Sequence, residues 1–155
     1  ITSKQMQFQE IWNFKYKILF SQNHPLATKS KLCFDDLKDY SVLLHDDEYI
    51  PFVSKEEVKK FTPSHDSQSK ILIQERGSQF DILSNLPNTY MWTTPIPKRL
   101  LYNHKLVTKK CIDNRQLYSD ILIYPKNYSL TDFEKLFIEN VFEIKYELEN
   151  GENAV

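Results

Sequence analysis

Residues 70–94 read KILIQERGSQFDILSNLPNTYMWTT. Ile71, Leu72 and Ile73 form a short unbroken aliphatic run, the pattern of a strand buried on both faces. Gly77 supplies a permissive turn after the run. Ser78 with Asp81, three residues later, reads as a capping box opening a helix to Leu86. Pro87-Asn88 ends that helix, and Thr89 to Thr93 is a second strand. Strand, helix and strand on short turns predict a parallel βαβ unit, and with it an α/β domain.

The same grammar continues outward. Upstream, Phe14, Tyr16, Ile18 and Phe20 alternate with Lys15, Lys17 and Leu19, which predicts one strand that Asn23-His24-Pro25 stops. Ser41 to Leu44 predicts a buried strand. Ser54 with Glu57, stapled by Val53 and Val58, predicts a helix from Lys55 to Lys60 or Phe61. Downstream, Thr94-Pro95 is placed as N-cap and first residue of a helix reaching Asn103. Leu106 to Ile112 reads as extended, and Tyr118 to Tyr124 as a strand closed by Pro125. In the last helix Ser129 and Asp132 form the expected box and Tyr128 and Phe133 the staple. Its apolar face carries Leu130, Phe133, Leu136, Phe137, Val141 and Ile144. Strand then helix recurs four times, so the sheet is expected to be largely parallel.

Composition narrows the function. The 155 residues allow one medium domain or two small lobes, and 41% hydrophobic residues can fill a core. Lys+Arg 20 against Asp+Glu 21 gives a net charge of -1, which argues against a free-standing nucleic-acid binder. No apolar run approaches the ~18 residues of a membrane span. Only two glycines are present, Gly77 and Gly151, so no dinucleotide fingerprint, phosphate-cradling loop or nucleophile elbow can be written. Cys33 and Cys111 lie far apart without a CxxC pattern and read as free thiols of a reducing cytoplasm. The chain opens on Ile1 with no export leader, which suggests a piece cut from a longer protein, and its polar end from Glu147 is expected to fray.

In open α/β sheets, ligands bind beyond the carboxyl ends of the strands. Three turns fall there: His45 to Tyr49, Glu75 to Ser78, and Thr93-Thr94. A small anion would be held by the hydroxyls of Ser78, Thr93 or Thr94 and nearby amides, with Arg76 as a bidentate clamp and His45 alongside. For any single residue the commoner role is structural: Ser78 and Thr94 capping their own helices, Arg76 a solvated charge. The catalytic inventory is thin. His24, His45, His65 and His104 are scattered, and His24 before a proline suits a structural hydrogen bond. His45, Asp46 and Asp47 are adjacent and cannot all face one ion, so no metal is expected. The pairs Lys59-Lys60 and Lys109-Lys110 read as solvated faces. No catalytic residue and no cofactor is assigned.

His24-Pro25-Leu26-Ala27, followed by Leu32, Phe34 and Asp36-Leu37, resembles the effector-binding domain of LysR-type transcriptional regulators. Tyr90-Met91-Trp92, Pro95 and Pro97, and Leu106-Val107 fit that family's second lobe in outline. Ile121 to Tyr124, Leu130-Thr131 and Phe137-Ile138 resemble its closing strand and helix. The resemblance covers Phe14 to Val141. The family's glycine-containing turn is replaced here by Asn85-Leu86-Pro87-Asn88-Thr89.

The resemblance implies a type II periplasmic-binding-protein-like fold, one complete lobe plus part of the second. Residues 40–112 would be the second lobe, and 14–39 with 113–145 the remainder of the first. It also implies a small-molecule effector, for which an anion would suit the turns named above, and a homo-oligomer in the cytoplasm without membrane contact. DNA would be reached only through an N-terminal winged helix-turn-helix that these residues do not contain. Apolar area on the last helix and on Phe14–Phe20 would then lack packing partners, and self-association is the expected cover. Two other readings remain: a stand-alone solute-binding protein of the same fold, and an α/β enzyme using Cys111 as nucleophile.

Overall fold

Apolar residues in Ile18–Phe20, Val42-Leu43 and Tyr90-Met91 run on without a polar break, so these strands need cover on both faces. The computed structural model describes residues 5–45, 69–75 and 77–152, and there that cover is present. In chain order the strands are β1 (Met6–Phe14), β2 (Lys17–Ser21), β3 (Ser41–His45), β4 (Lys70–Ile73), β5 (Thr89–Thr93), β6 (Leu106–Lys109) and β7 (Tyr118–Pro125). The helices are α1 (Gln79–Asn85), α2 (Lys98–Asn103) and α3 (Asp132–Glu152), with two 3-10 turns at Pro25–Thr28 and Phe34–Leu37.

Five strands form one sheet in the order β4-β3-β5-β2-β6. Alternate side chains feed two separate cores. Ile18, Phe20, Val42 and Tyr90 point to the face covered by Leu26 and Leu37 of the two 3-10 turns and by Leu32 between them. Leu19, Leu43 and Met91 point to the other, where Leu83 of α1 packs with Leu106. His24 starts the first turn: its backbone is extended, Pro25 follows at the first position, and its Nδ1 accepts from the Leu26 amide at 3.0 Å.

The βαβ reading around residues 70–93 is realised, with β3 parallel to both β4 and β5. The sheet as a whole is mixed, not largely parallel, because β2 runs antiparallel to β5 and β6. The single strand expected over Phe14–Phe20 is two strands in two different sheets. β1 pairs antiparallel with β7 in a two-stranded ribbon, with a bulge between Glu10 and Trp12. The chain crosses between the sheets at Lys15-Tyr16, and returns between Lys110 and Leu117. β2 thus pairs within the large sheet, and Leu26, Leu32 and Leu37 pack on its face. Alternation could not show this, since it runs unbroken through the crossing.

Three caps also differ from expectation. Ser78 makes no side-chain cap; the Glu75 carboxylate accepts from the Gly77 and Ser78 amides at 2.6 and 2.8 Å. The second helix begins at Lys98 with Pro97 at the N-cap, not at Thr94-Pro95. The ring of Pro97 drives Ile96 out of the helical region, which forbids the earlier start. The box of the last helix is Thr131 with Glu134, where the Glu134 carboxylate accepts from the Thr131 amide at 2.8 Å. Phe133 is 79% exposed and forms no staple. Gly77 does not need its conformational freedom, because the backbone with positive φ is at Lys105 (53°). The helix expected at Lys55–Phe61 lies outside the described residues.

Candidate functional site

Four strands end and one begins at the same edge of the large sheet. Register places Lys17 opposite Thr93, His45 opposite Ile73, and Ile18 opposite Lys109. The β3–β5 register, Ser41 with Thr89 and Val42 with Tyr90, carried forward sets His45 level with Thr93. One row thus crosses the carboxyl edge: Ile73, His45, Thr93, Lys17 and Lys110. Three of the expected site residues, His45, Thr93 and neighbouring Thr94, lie in or beside it. Arg76 lies outside the described residues.

The edge is divided by its own chemistry. On the β4 side, Glu75 occupies the start of α1, held below the usual carboxylate range by the Ser78 hydroxyl and the Ser78 and Gly77 amides. The Ser78 donors are thus engaged by an anion of the same chain. His45 Nε2 lies 2.9 Å from Gln79 Oε1, so this nitrogen donates. His45 Nδ1 is shielded from solvent and has no partner among the described residues. Thr93 is buried, and its hydroxyl donates to the Thr94 carbonyl at 3.0 Å.

On the β2–β6 side the edge opens into a cavity of about 500 Å³ between the large sheet and the ribbon. Both chain crossings line it, Lys15 to Lys17 on one and Lys110, Cys111, Ile112 and Asn114 on the other, together with Pro95 and the Leu148–Glu149 end of α3. Aromatic rings brace the crossings: Tyr16 meets Tyr118 edge-on at 4.6 Å, and Phe14 stacks on Tyr118 at 6.0 Å. Asn114 Nδ2 donates to the Tyr16 carbonyl at 3.0 Å, tying one crossing to the other. Burial pushes the Tyr118 hydroxyl up. Sequence reading passed over this place. The available signal was the packing of Tyr16, Lys17, Lys109 and Lys110 against strand ends, but without register the lysines read as solvated.

Other candidates are quiet. Cys111 is buried, and burial pushes its thiol up, the opposite of an activated nucleophile. Among the described residues no three His, Cys, Asp or Glu side chains are grouped to hold a metal ion, and no helix is long and apolar enough to cross a membrane.

Sequence comparison finds no matching family model and no matching curated protein. Comparison of structures finds extensive likeness. The effector-binding domain of QuiR in complex with shikimate matches over 92% of this chain with TM-score 0.61 and 16% identity. The effector-binding domain of BenM with its effector benzoate matches over 97%, with TM-score 0.61 and 14% identity. The regulatory domain of MetR, a LysR family regulator from N. meningitidis, matches over 94%, with TM-score 0.59 and 10% identity. The chain spans 66% of the QuiR and MetR domains and 67% of the BenM domain. The fold is therefore that of LysR-type effector-binding domains, the type II periplasmic-binding-protein class.

Proposed function

We propose that this chain is the small-molecule-sensing part of a LysR-type transcription regulator, acting by binding and not by catalysis. The observation that carries the reading is the coincidence of two features. The LysR effector-domain fold spans nearly the whole chain, and a 500 Å³ cavity lies at the carboxyl edge where its two sheets are joined. A metabolite there touches both sheets and both crossings, so it favours one lobe arrangement over another, and only such differential affinity moves an equilibrium.

In this reading residues 17–110 make the larger lobe, and β1, β7 and α3 belong to the smaller. The effector lies beside Thr93 and Thr94, with His45 one strand further out. Ser78 serves the turn before α1. Contact with DNA belongs to a separate winged helix-turn-helix, the working unit is a homo-oligomer, and its compartment is the cytoplasm. The test is thermal unfolding of the chain against a panel of metabolites. At least one is expected to raise the transition in a saturable way, since ligand at about 100 times Kd adds about 2.7 kcal/mol. A panel in which none does so sinks the reading.

A further inference from the structure

Charge and exposure around the hinge cavity do not balance within the chain. Lys15, Lys17 and Lys110 line it, and among the described residues Glu149 is its one lining carboxylate. Glu149 already faces the Lys145 ammonium at 3.8 Å. Among the described residues Lys15 and Lys110 have no carboxylate partner, so the cavity carries a net positive field, concentrated by the surrounding apolar walls. Those walls are unfinished as well. Ile112 is 58% exposed and Leu117 60%, and both border the cavity beside the half-buried ring of Trp12. Large aliphatic side chains left in water next to unpaired cations describe what is missing: an apolar body joined to an anion.

We propose that the hinge cavity takes a small monocarboxylate carrying an apolar ring or chain. Its carboxylate lies between the Lys15 and Lys110 ammoniums, and its apolar body rests on Trp12, Ile112 and Leu117. Lys15 sits on one crossing and Lys110 on the other, so a single carboxylate bridges the two chain segments that join the lobes. This rests on the sensing function proposed above and names the class of ligand for that site. A neutral molecule of the same shape gains the apolar contact and leaves both cations unpaired, so the cavity selects by charge. Volume agrees, since a cavity of this size suits a ring-bearing metabolite.

Trp12 reports the test. In a Trp92→Phe background, the intrinsic fluorescence of the chain is titrated with 3-phenylpropionate and with its neutral amide. The acid is expected to give a saturable change at millimolar concentration or below. The amide should bind at least about tenfold more weakly. The Lys15→Met/Lys110→Met variant should lose the acid's advantage while keeping its melting temperature, and raising salt from 50 to 500 mM should weaken the acid alone. Equal binding of acid and amide overturns the proposal, as does a double variant that binds the acid unchanged. Absence of acid binding while some other metabolite stabilises the chain overturns the proposal and leaves the sensing function standing. Absence of both removes the two together.

Discussion

Phe20 and Phe133 are the same side chain at opposite limits. Phe20 is wholly buried against the His24 ring, at a centroid distance of 4.5 Å, whereas Phe133 is 79% exposed near the start of α3. The contrast extends to the lobes that carry them. The five-stranded sheet is closed on both faces by turns and helices drawn from its own residues. Among the described residues the ribbon is covered on one face only, where Gln9 borders a groove with Ile138, Phe142 and Tyr146 of α3. Its other face presents Phe8, Ile121 and Ile123 to water, and α3 turns Leu136, Phe137 and Ile144 outward. Two strands and one helix cannot bury both of their apolar faces, and an isolated two-stranded ribbon is marginal in water. Stability and apolar contact area have therefore been sorted into different lobes.

The largest effect that could break this comparison comes from paired alanine substitutions. Ile18→Ala removes a fully buried side chain from the sheet and is expected to cost about 2–5 kcal/mol in urea unfolding. Phe133→Ala, deleting a larger side chain, should change stability by about 0.5 kcal/mol or less. Light scattering should then show the second variant associating less than the parent chain. Similar costs from both substitutions would mean that α3 is buried in solution by something with the strength of a core.

How much of this contrast can be read in the residues depends on whether a signal is local. Ser41–Leu44, Thr89–Thr93 and Tyr118–Tyr124 declare themselves as strands because apolar runs and their polar or Pro boundaries are neighbours in sequence. His24-Pro25 likewise announces its turn. The caps shifted because Glu75 and Thr131 are chemically as able as Ser78 and Ser129, and only geometry chooses between them. The break at Lys15-Tyr16 carries no signal at all. Its cause is the partner each half finds: β7 for one, and β5 and β6 for the other. The cavity is hidden for the same reason, being assembled from residues about a hundred positions apart, such as Tyr16 and Asn114.

Acid provides the next test, because the large lobe contains a buried titrating group. His24 is enclosed by Phe20 and Tyr40, and burial lowers its pKa from 6.5 to about 4. With the folded value depressed, the unfolded chain takes up the proton first, so stability falls as pH drops from about 6.5 towards 4. The loss reaches about 3 kcal/mol at the low end. His24→Asn keeps an acceptor for the Leu26 amide and removes the titration. Its packing loss is the same at both pH values, so the difference in stability between the two proteins should shift by about 3 kcal/mol from pH 7 to pH 4 in urea unfolding. Carboxylates held low by hydrogen bonds, such as Glu75 and Glu134, weaken both proteins alike and cancel from the difference. An unchanged pH dependence in the variant would show that the ring is not shut away from water, and the closed lobe would be less closed than its packing implies.

The smallest effect asks whether the lobes share one unfolding transition. Lys105, with φ 53°, holds the left-handed position after α2, where its amide donates to the Tyr102 carbonyl at 3.1 Å and its carbonyl accepts from the Gln22 amide at 2.9 Å. A residue with a Cβ is strained in that region, and glycine is not. Lys105→Gly should therefore stabilise the large lobe, but by only about 0.5–1 kcal/mol, because glycine also gives the unfolded chain more freedom to lose. Hydrogen exchange reads where that gain appears. If the lobes open independently, protection rises in β2, β5 and β6 and stays level in β1, β7 and α3. A rise in both sets would couple the lobes through the two crossings. The aromatic brace of Phe14, Tyr16 and Tyr118 would then be transmitting stability between them, and a ligand wedged at that brace would act on the whole chain instead of on one lobe.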